Sequence, residues 1–325
     1  MRLRAPTVAG IAATVVVAAI IALLPFGLSD YHRSTGATVA VFFIAILALN
    51  IVTGYTGQIS IGHGAFMAVG AYSTAILTHN HGWNDLATLP VSALIGFVAG
   101  VIVGLPALRL HGVYLALTTF AVALAVPQIV SNYPNFTGGV VGLSLPSHTG
   151  MWLYEVSWAV AGIMFVVAWL LLRGRTGRAF RAVRDSEVAA ASSGVSLAVY
   201  KTVAFGISAA MAALAGSLYV LVNNYASPTI FGLTLSLYIL IGAVVGGLGS
   251  LWGVLVGAAF VELLPLGLTS AGLGSSQSVP VIFGAVVIGV MALLPLGAAT
   301  LLRAALHFGS QIGQHSDQPL GTEGR

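Results

Sequence analysis

Apolar residues dominate ten stretches of the chain, at 7–26, 36–53, 59–78, 88–106, 113–130, 155–172, 199–222, 233–248, 251–268 and 279–297. Most approach the length of about 20 residues that an α-helix needs to cross the hydrocarbon of a bilayer. The pattern predicts ten membrane-spanning helices. Glycine and proline inside several of them fit that reading, because membrane helices tolerate both better than soluble ones do. The pattern falters at 54–66, GYTGQISIGHGAF, which sets Gln58, Ser60 and His63 among glycines and makes a poor spanning helix.

Composition removes the soluble alternative. Of 325 residues 58% are apolar, 6% are charged, and the mean hydropathy is +1.00. Charged residues are about 25% of an ordinary soluble domain, so this chain could not cover a soluble surface. There is no cysteine, hence no disulfide framework and no thiolate metal site. Eleven arginines accompany one lysine, Lys201, and the net charge of +4 is no nucleic-acid signal, because the basic residues stand at span edges. Arg2 and Arg4 before an apolar run resemble a secretory leader, but 7–26 is long enough to span and is read as a retained helix.

Lys and Arg accumulate in cytoplasmic loops. With the N-terminus inside, alternation places Arg109, the cluster Arg173, Arg175, Arg178, Arg181 and Arg184, and Arg303 inside. Arg33, beside Asp30, falls outside. Both termini are then cytoplasmic. Residues 1–306 are read as one transmembrane domain, and the polar 307–325 tail is expected to be disordered. Gly96, Gly100 and Gly104, and likewise Gly249, Gly253 and Gly257, recur every fourth residue, a spacing that lets helix backbones approach. Packing within one subunit is favoured over a subunit contact. Gly54–Gln58 faintly echoes Gly246–Ser250.

The 173–198 loop is the one strongly charged stretch. From Gly177 to Ala191 its composition is helical, Phe180, Val183 and Ala190 fall on one face, and Gly194 supplies a stop. Topology anchoring accounts for Arg173 and Arg175. A folded helix with Asp185 and Glu187 after the arginines points instead to docking of a cytoplasmic partner. A nucleotide-binding P-loop is excluded, since Val195 and Tyr200 stand where its glycines would precede Lys201-Thr202. ATP hydrolysis, if it drives this protein, belongs to another chain.

Within the spans, Glu262 is the carboxylate set in a span interior, thin support for ion coupling; it also reads as an interfacial residue near a helix end. His63 has no partner at metal-ligand spacing and reads as a packed, satisfied histidine. The 54–66 stretch has two readings. Backbone freed from a helix in lipid must line a cavity or be buried in protein, so it is either a substrate path or a tight turn that packs helices.

Several segments together resemble the LivM-type permeases of branched-chain amino acid ABC importers. GYTGQISIGHGAFMAVGAY (54–72) is similar to that family's glycine-rich signature, LRLHGVYLALTTFA (108–121) to its next motif, and FTGGVVGL (136–143) to its outside-loop element. GRAFRAVRDSEVAAASSGVSLAVYKTVAF (177–205) is similar to the coupling loop, and VVGGLGSLWGVLVGA (244–258) to the late glycine motif. The resemblance implies an all-α polytopic protein of the bacterial cytoplasmic membrane, with about ten transmembrane helices and a cytoplasmic coupling helix. It implies a LivH-like second permease, two ATPases that hold ATP and Mg, and an external binding protein, with no cofactor on this chain. Gly177, Arg178, Arg181, Asp185, Glu187, Ala189, Ala190 and Gly194 would be the ATPase-coupling residues. Here E-x-A-A-x-x-x-G is one residue longer than the E-A-A-x-x-x-G common in such permeases. The substrate path would run by Gly54, Tyr55, Gly57, Gln58, Ser60, Gly62, His63, Thr118 and Thr119. Thr118 and Thr119 also read as bonded to their own helix. Urea, short amides or a simple sugar as cargo, or an ion-coupled transporter working alone, are the alternative readings.

Overall fold

The structure, a computed structural model, describes residues 29–107, 112–146, 150–270, 272 and 279–293. The expected span at 7–26 with Arg2 and Arg4, and likewise Arg109, Arg303 and the 307–325 tail, lie outside the described residues. The other nine apolar stretches each coincide with a helix over most of their described residues. These are α1 (Asp30–Leu49, prolonged by a π-helix, Asn50–Tyr55), α2 (His63–His81), α3 (Asp85–Ala107) and α4 (Val113–Ser131). After the short α5 (Pro134–Thr137) come α6 (Gly150–Arg173), α7 (Arg175–Asp185), α8 (Glu187–Ser192) and α9 (Leu197–Asn223). The series ends with α10 (Leu233–Gly246), α11 (Gly253–Ser270) and α12 (Val279–Leu293). Among the described residues, six helices are long and apolar enough to cross a membrane: α1 with its π extension, α3, α4, α6, α9 and α11. The apolar α10 and α12 are shorter.

Burial divides these helices into two kinds. The apolar window of α1 and its extension is 89% buried and that of α9 is 83% buried, against 28% or less for the other four. A helix that is hydrophobic all round belongs inside, and α1 and α9 are the two around which the rest are wrapped. Glycine sets how closely. Cβ atoms added at Gly96, Gly100 and Gly104 of α3 would meet Ala213, Ala209 and Phe205 of α9, so the first ladder is an α3–α9 seam. Gly70 of α2 lies against the carbonyl of Ala213, and Gly216 of α9 against that of Met67. At the same crossing Ser217 Oγ bonds Gly70 O at 3.1 Å and Ser92 Oγ at 2.6 Å, joining three helices through one hydroxyl. The second ladder also packs inside the chain: Gly257 touches the carbonyl of Gly242, and Gly246 that of Gly253.

The two ends of the bundle differ. At one, a two-residue strand β1 (Leu143–Ser144) pairs antiparallel with β2 (Tyr225–Ala226), and His79 Nδ1 lies 3.0 Å from Ser144 O. At the other, α7 and α8 gather with the end of the π-helix and the turn between α10 and α11. The charged module and the 54–58 segment therefore share one end, as the alternation of spans requires.

Replacing Gly70 by Leu is expected to force α2 and α9 apart, with a loss of about 1–3 kcal/mol or failure to fold, the range for overpacking a tight core. Gly162→Ala, where an added Cβ meets nothing within 4 Å, is expected to be neutral. Thermal unfolding in detergent compares the two.

Candidate functional site

The break at 54–66 begins later than the glycines suggest. Gly54 is still helical, within a π-helix whose looser turn carries α1 to Tyr55. The chain leaves the helix at Gly57, whose φ of +72° is left-handed and suits glycine. Residues 57–62 then run non-helically until α2 starts at His63. Along this run Gln58, Ser60 and Gly62 are buried, while Gly57 and Ile59 are exposed and Ile61 is half-buried. The polar side chains of Gln58 and Ser60 thus point into the protein, while Ile59 points out.

Each inward group has a partner in the chain. Gln58 N–H bonds Val52 O at 3.1 Å, and Gln58 Nε2 bonds Thr56 Oγ1 at 2.8 Å. Ile61 N–H donates to Thr119 Oγ1 of α4 at 3.0 Å. At the start of α2, Gly64 N–H donates to Ser236 Oγ of α10 at 2.9 Å. His63 joins four segments. Its Nδ1 lies 3.2 Å from Ser60 Oγ and its Nε2 lies 2.7 Å from Ser208 Oγ of α9, which donates onward to Ala48 O at 2.6 Å. Since the Ser208 proton is committed to Ala48, Nε2 must donate and Nδ1 accept, which assigns the Nε2–H tautomer. Ser208 stands about 17 Å along α9 from Leu197, at 1.5 Å per residue, in a helix about 40 Å long. The first turn of α2 therefore lies well inside the bundle.

Thr118 Oγ1 bonds Tyr114 O at 2.9 Å and Thr119 Oγ1 bonds Ala116 O at 3.0 Å, so both serve their own helix. Thr119 is buried and Thr118 half-buried. Glu262 lies midway along α11, half-buried, rather than at a helix end.

The charged loop corrects one expectation. The helix expected over Gly177–Ala191 is two helices, because Ser186 is extended (φ −164°, ψ 115°) and caps α8 by accepting from Ala189 N–H at 3.3 Å. Phe180, Val183 and Ala190 are buried, on the face their spacing marks. Gly194, at φ +82°, ends α8 as expected, with Val195 N–H on Ala190 O.

The residues singled out in this loop divide between two faces. Gly177 is buried against the backbone of Leu172, and Arg181 Nη1 bonds Leu172 O at 3.2 Å. Glu187 is turned inward to Lys201 of α9, with Nζ–Oε1 at 2.7 Å and the lysine side chain 6% exposed. Ala190 is buried as well. Arg178, Asp185 and Ala189 are exposed. Val188 is 79% exposed at the tip of α8.

The same end holds a contact that no sequence reading selected. Arg184 Nη1 donates to Gly54 O at 3.1 Å, while its Nε and Nη2 hold Asp185 Oδ1 at 3.1 and 3.0 Å. Beside it Asn50 Oδ1 accepts from Gly249 N–H at 2.7 Å and Asn50 Nδ2 donates to Ser250 O at 2.9 Å. The segments of the faint echo, 54–58 and 246–250, are thus neighbours in space. An asparagine inside an apolar run was the available signal for Asn50. Arg184 and Ser208 carried none, each being one of many residues of its type.

The family model for branched-chain amino acid transport system permease components matches residues 31–296. The chain is 32% identical over 269 residues to the high-affinity branched-chain amino acid transport permease LivM of Salmonella typhimurium, covering 73% of this chain and 63% of that protein. Against LivM of Escherichia coli the identity is 32% over 266 residues, covering 72% and 63%. Against LivH of Salmonella typhimurium it is 26% over 284 residues, covering 79% and 90%. The chain thus spans somewhat less than two thirds of the LivM proteins' length. No solved structure matches it.

Ser208→Ala is expected to lower stability by about 1–3 kcal/mol, since it leaves the buried His63 Nε2–H without its hydroxyl partner. Lys201→Ala is expected to cost about 1–3 kcal/mol, less than for a fully buried pair because Glu187 is partly exposed, and Glu187→Ala on top of it should restore part of the loss. Thermal unfolding of single and double variants in detergent measures both.

Proposed function

Since the chain belongs to the family of branched-chain amino acid transport system permease components, we propose that it is a permease subunit of an ATP-driven importer of leucine, isoleucine and valine. It is a multi-pass membrane protein, and the membrane is the bacterial cytoplasmic one, with the α7–α8 end inside. A second, LivH-like permease completes the pathway, as the likeness to both LivM and LivH supports. Two ATPase subunits carry ATP and Mg, this chain performs no hydrolysis, and an extracytoplasmic binding protein delivers the cargo.

The observation that carries this reading is the α7–α8 module. It is anchored to α6 through Arg181 and to α9 through Lys201, and it presents Val188, Ala189, Ala191 and Ser192 outward. A short, capped helix with small exposed side chains and one bare valine suits insertion into a groove of an ATPase. Arg178 and Asp185 frame it.

In this reading the substrate path runs along the outward side of the broken segment. Gly57, Ile59, Ile61 and Thr118 border it, and an apolar border suits aliphatic side chains. Gly54, Tyr55, Gln58, Ser60, Gly62, His63 and Thr119 hold its shape from behind. Selectivity then rests largely with the binding protein.

Labelled leucine, isoleucine, valine, urea and ribose, offered to energised cells with and without the gene, test the cargo. Selective loss of branched-chain amino acid uptake is expected; loss of urea or ribose uptake instead would keep the machine and replace the cargo. Val188→Glu is expected to reduce ATPase co-purification at least tenfold while the amount in the membrane is unchanged. Undiminished co-purification would remove α8 as the docking element.

A further inference from the structure

The contact between Arg184 and Gly54 joins the surface proposed for ATPase docking to the most buried helix of the bundle. Gly54 O belongs to the last turn of the π-helix, where the chain departs and the Gln58 N–H goes to Val52 O instead. A carbonyl at a helix end inside protein needs a donor, and the guanidinium supplies a charge-assisted one. The approach is close. A Cβ at Gly57 would stand 3.1 Å from Arg184 Cγ, and one at Gly249 would stand 3.5 Å from Arg184 Nη1. The other side of the same guanidinium meets the exposed carboxylate of its chain neighbour Asp185. Asn50, one turn earlier in the buried helix, fastens the α10–α11 turn at Gly249 and Ser250.

From these contacts we infer that Arg184 is the positioning residue that passes displacement of the α7–α8 module to the broken centre of the bundle. Arg181 and Lys201 tie the module to α6 and α9, whose helices run on unbroken from those points. Arg184 alone among these ties ends on the segment where helical bonding stops, six residues of which then lead to the first turn of α2. A pull on Gly54 O acts on the axis of α1 and on the α10–α11 turn together, and the left-handed glycines Gly57, Gly247 and Gly249 at the junction provide hinges. Arg184 does not touch cargo in this scheme; it acts through Gly54. The inference rests on the proposal that an ATPase docks on α7–α8.

The experiment uses the complete transporter, with partner permease, ATPases and binding protein, in liposomes. Uptake of cargo and ATP hydrolysis are measured together for wild type, Arg184→Gln and Arg184→Lys. Arg184→Gln is expected to co-purify with the ATPases in wild-type amount, to keep binding-protein-stimulated hydrolysis within about twofold, and to lose at least tenfold in cargo moved per ATP. Arg184→Lys is expected to recover part of that ratio, since an ammonium reaches one acceptor but does not fork between Gly54 and Asp185. An unchanged ratio in Arg184→Gln overturns the inference, as does an equal fall in hydrolysis and uptake, which would place Arg184 in docking or folding. Failure of the wild-type protein itself to bind ATPases or to transport with ATP would fall on the permease reading, and the wild-type measurement alone reveals it.

Discussion

A peptide group released from a helix inside packed protein needs another partner, and residues 57–62 release theirs between α1 with its π extension and α2. The rest of the structure is arranged around satisfying them. Hydroxyls from three other helices converge on the break: Thr119 on Ile61 N–H, Ser236 on Gly64 N–H, and Ser208 on His63. Each left unpaired would cost about 1–3 kcal/mol. The break is thereby confined to one geometry, and the helices that supply the hydroxyls are confined with it.

That convergence needs close helix crossings, and small residues provide them. α2 and α3 both pack on α9 through Gly70, Gly96, Gly100 and Gly216, where backbone or Cβ atoms stand where a larger side chain would lie. In lipid there is little hydrophobic drive to bring helices together, so close packing and hydrogen bonds set the association. Ser217, bonded to α2 and α3 at once, shows both devices at one crossing.

The charged module extends the same logic to the bundle's end. Its apolar face, Phe180, Val183 and Ala190, is buried, and three of its charged groups tie it to the bundle helices: Arg181 to α6, Glu187 to α9, Arg184 to the π-helix. What α8 keeps outward is small and uncharged, with Val188 most exposed, while Arg175, Arg178, Arg184 and Asp185 of α7 are exposed beside it. Part of the charge that makes the loop conspicuous in the sequence therefore holds the module in place, and inconspicuous residues of α8 stand on its outer surface.

The sequence by itself determined the helices that carry the apolar stretches within the described residues, the amphipathic face of the charged loop, its stop at Gly194 and the two glycine ladders. All of these follow from composition and from periods of two to four residues, which local chemistry fixes. It also placed a break near 54–66, because glycine and polar residues weaken a helix wherever they cluster. Only the tertiary structure decided which side of that break faces inward, that Glu187 turns to Lys201, and that Arg184 and Asn50 clasp Gly54 and Gly249. Those pairs lie 130 and 199 residues apart in the chain. Their meeting depends on how closely and at what angle the helices cross, and a single arginine or asparagine carries no local mark of the partner that the crossing will bring to it.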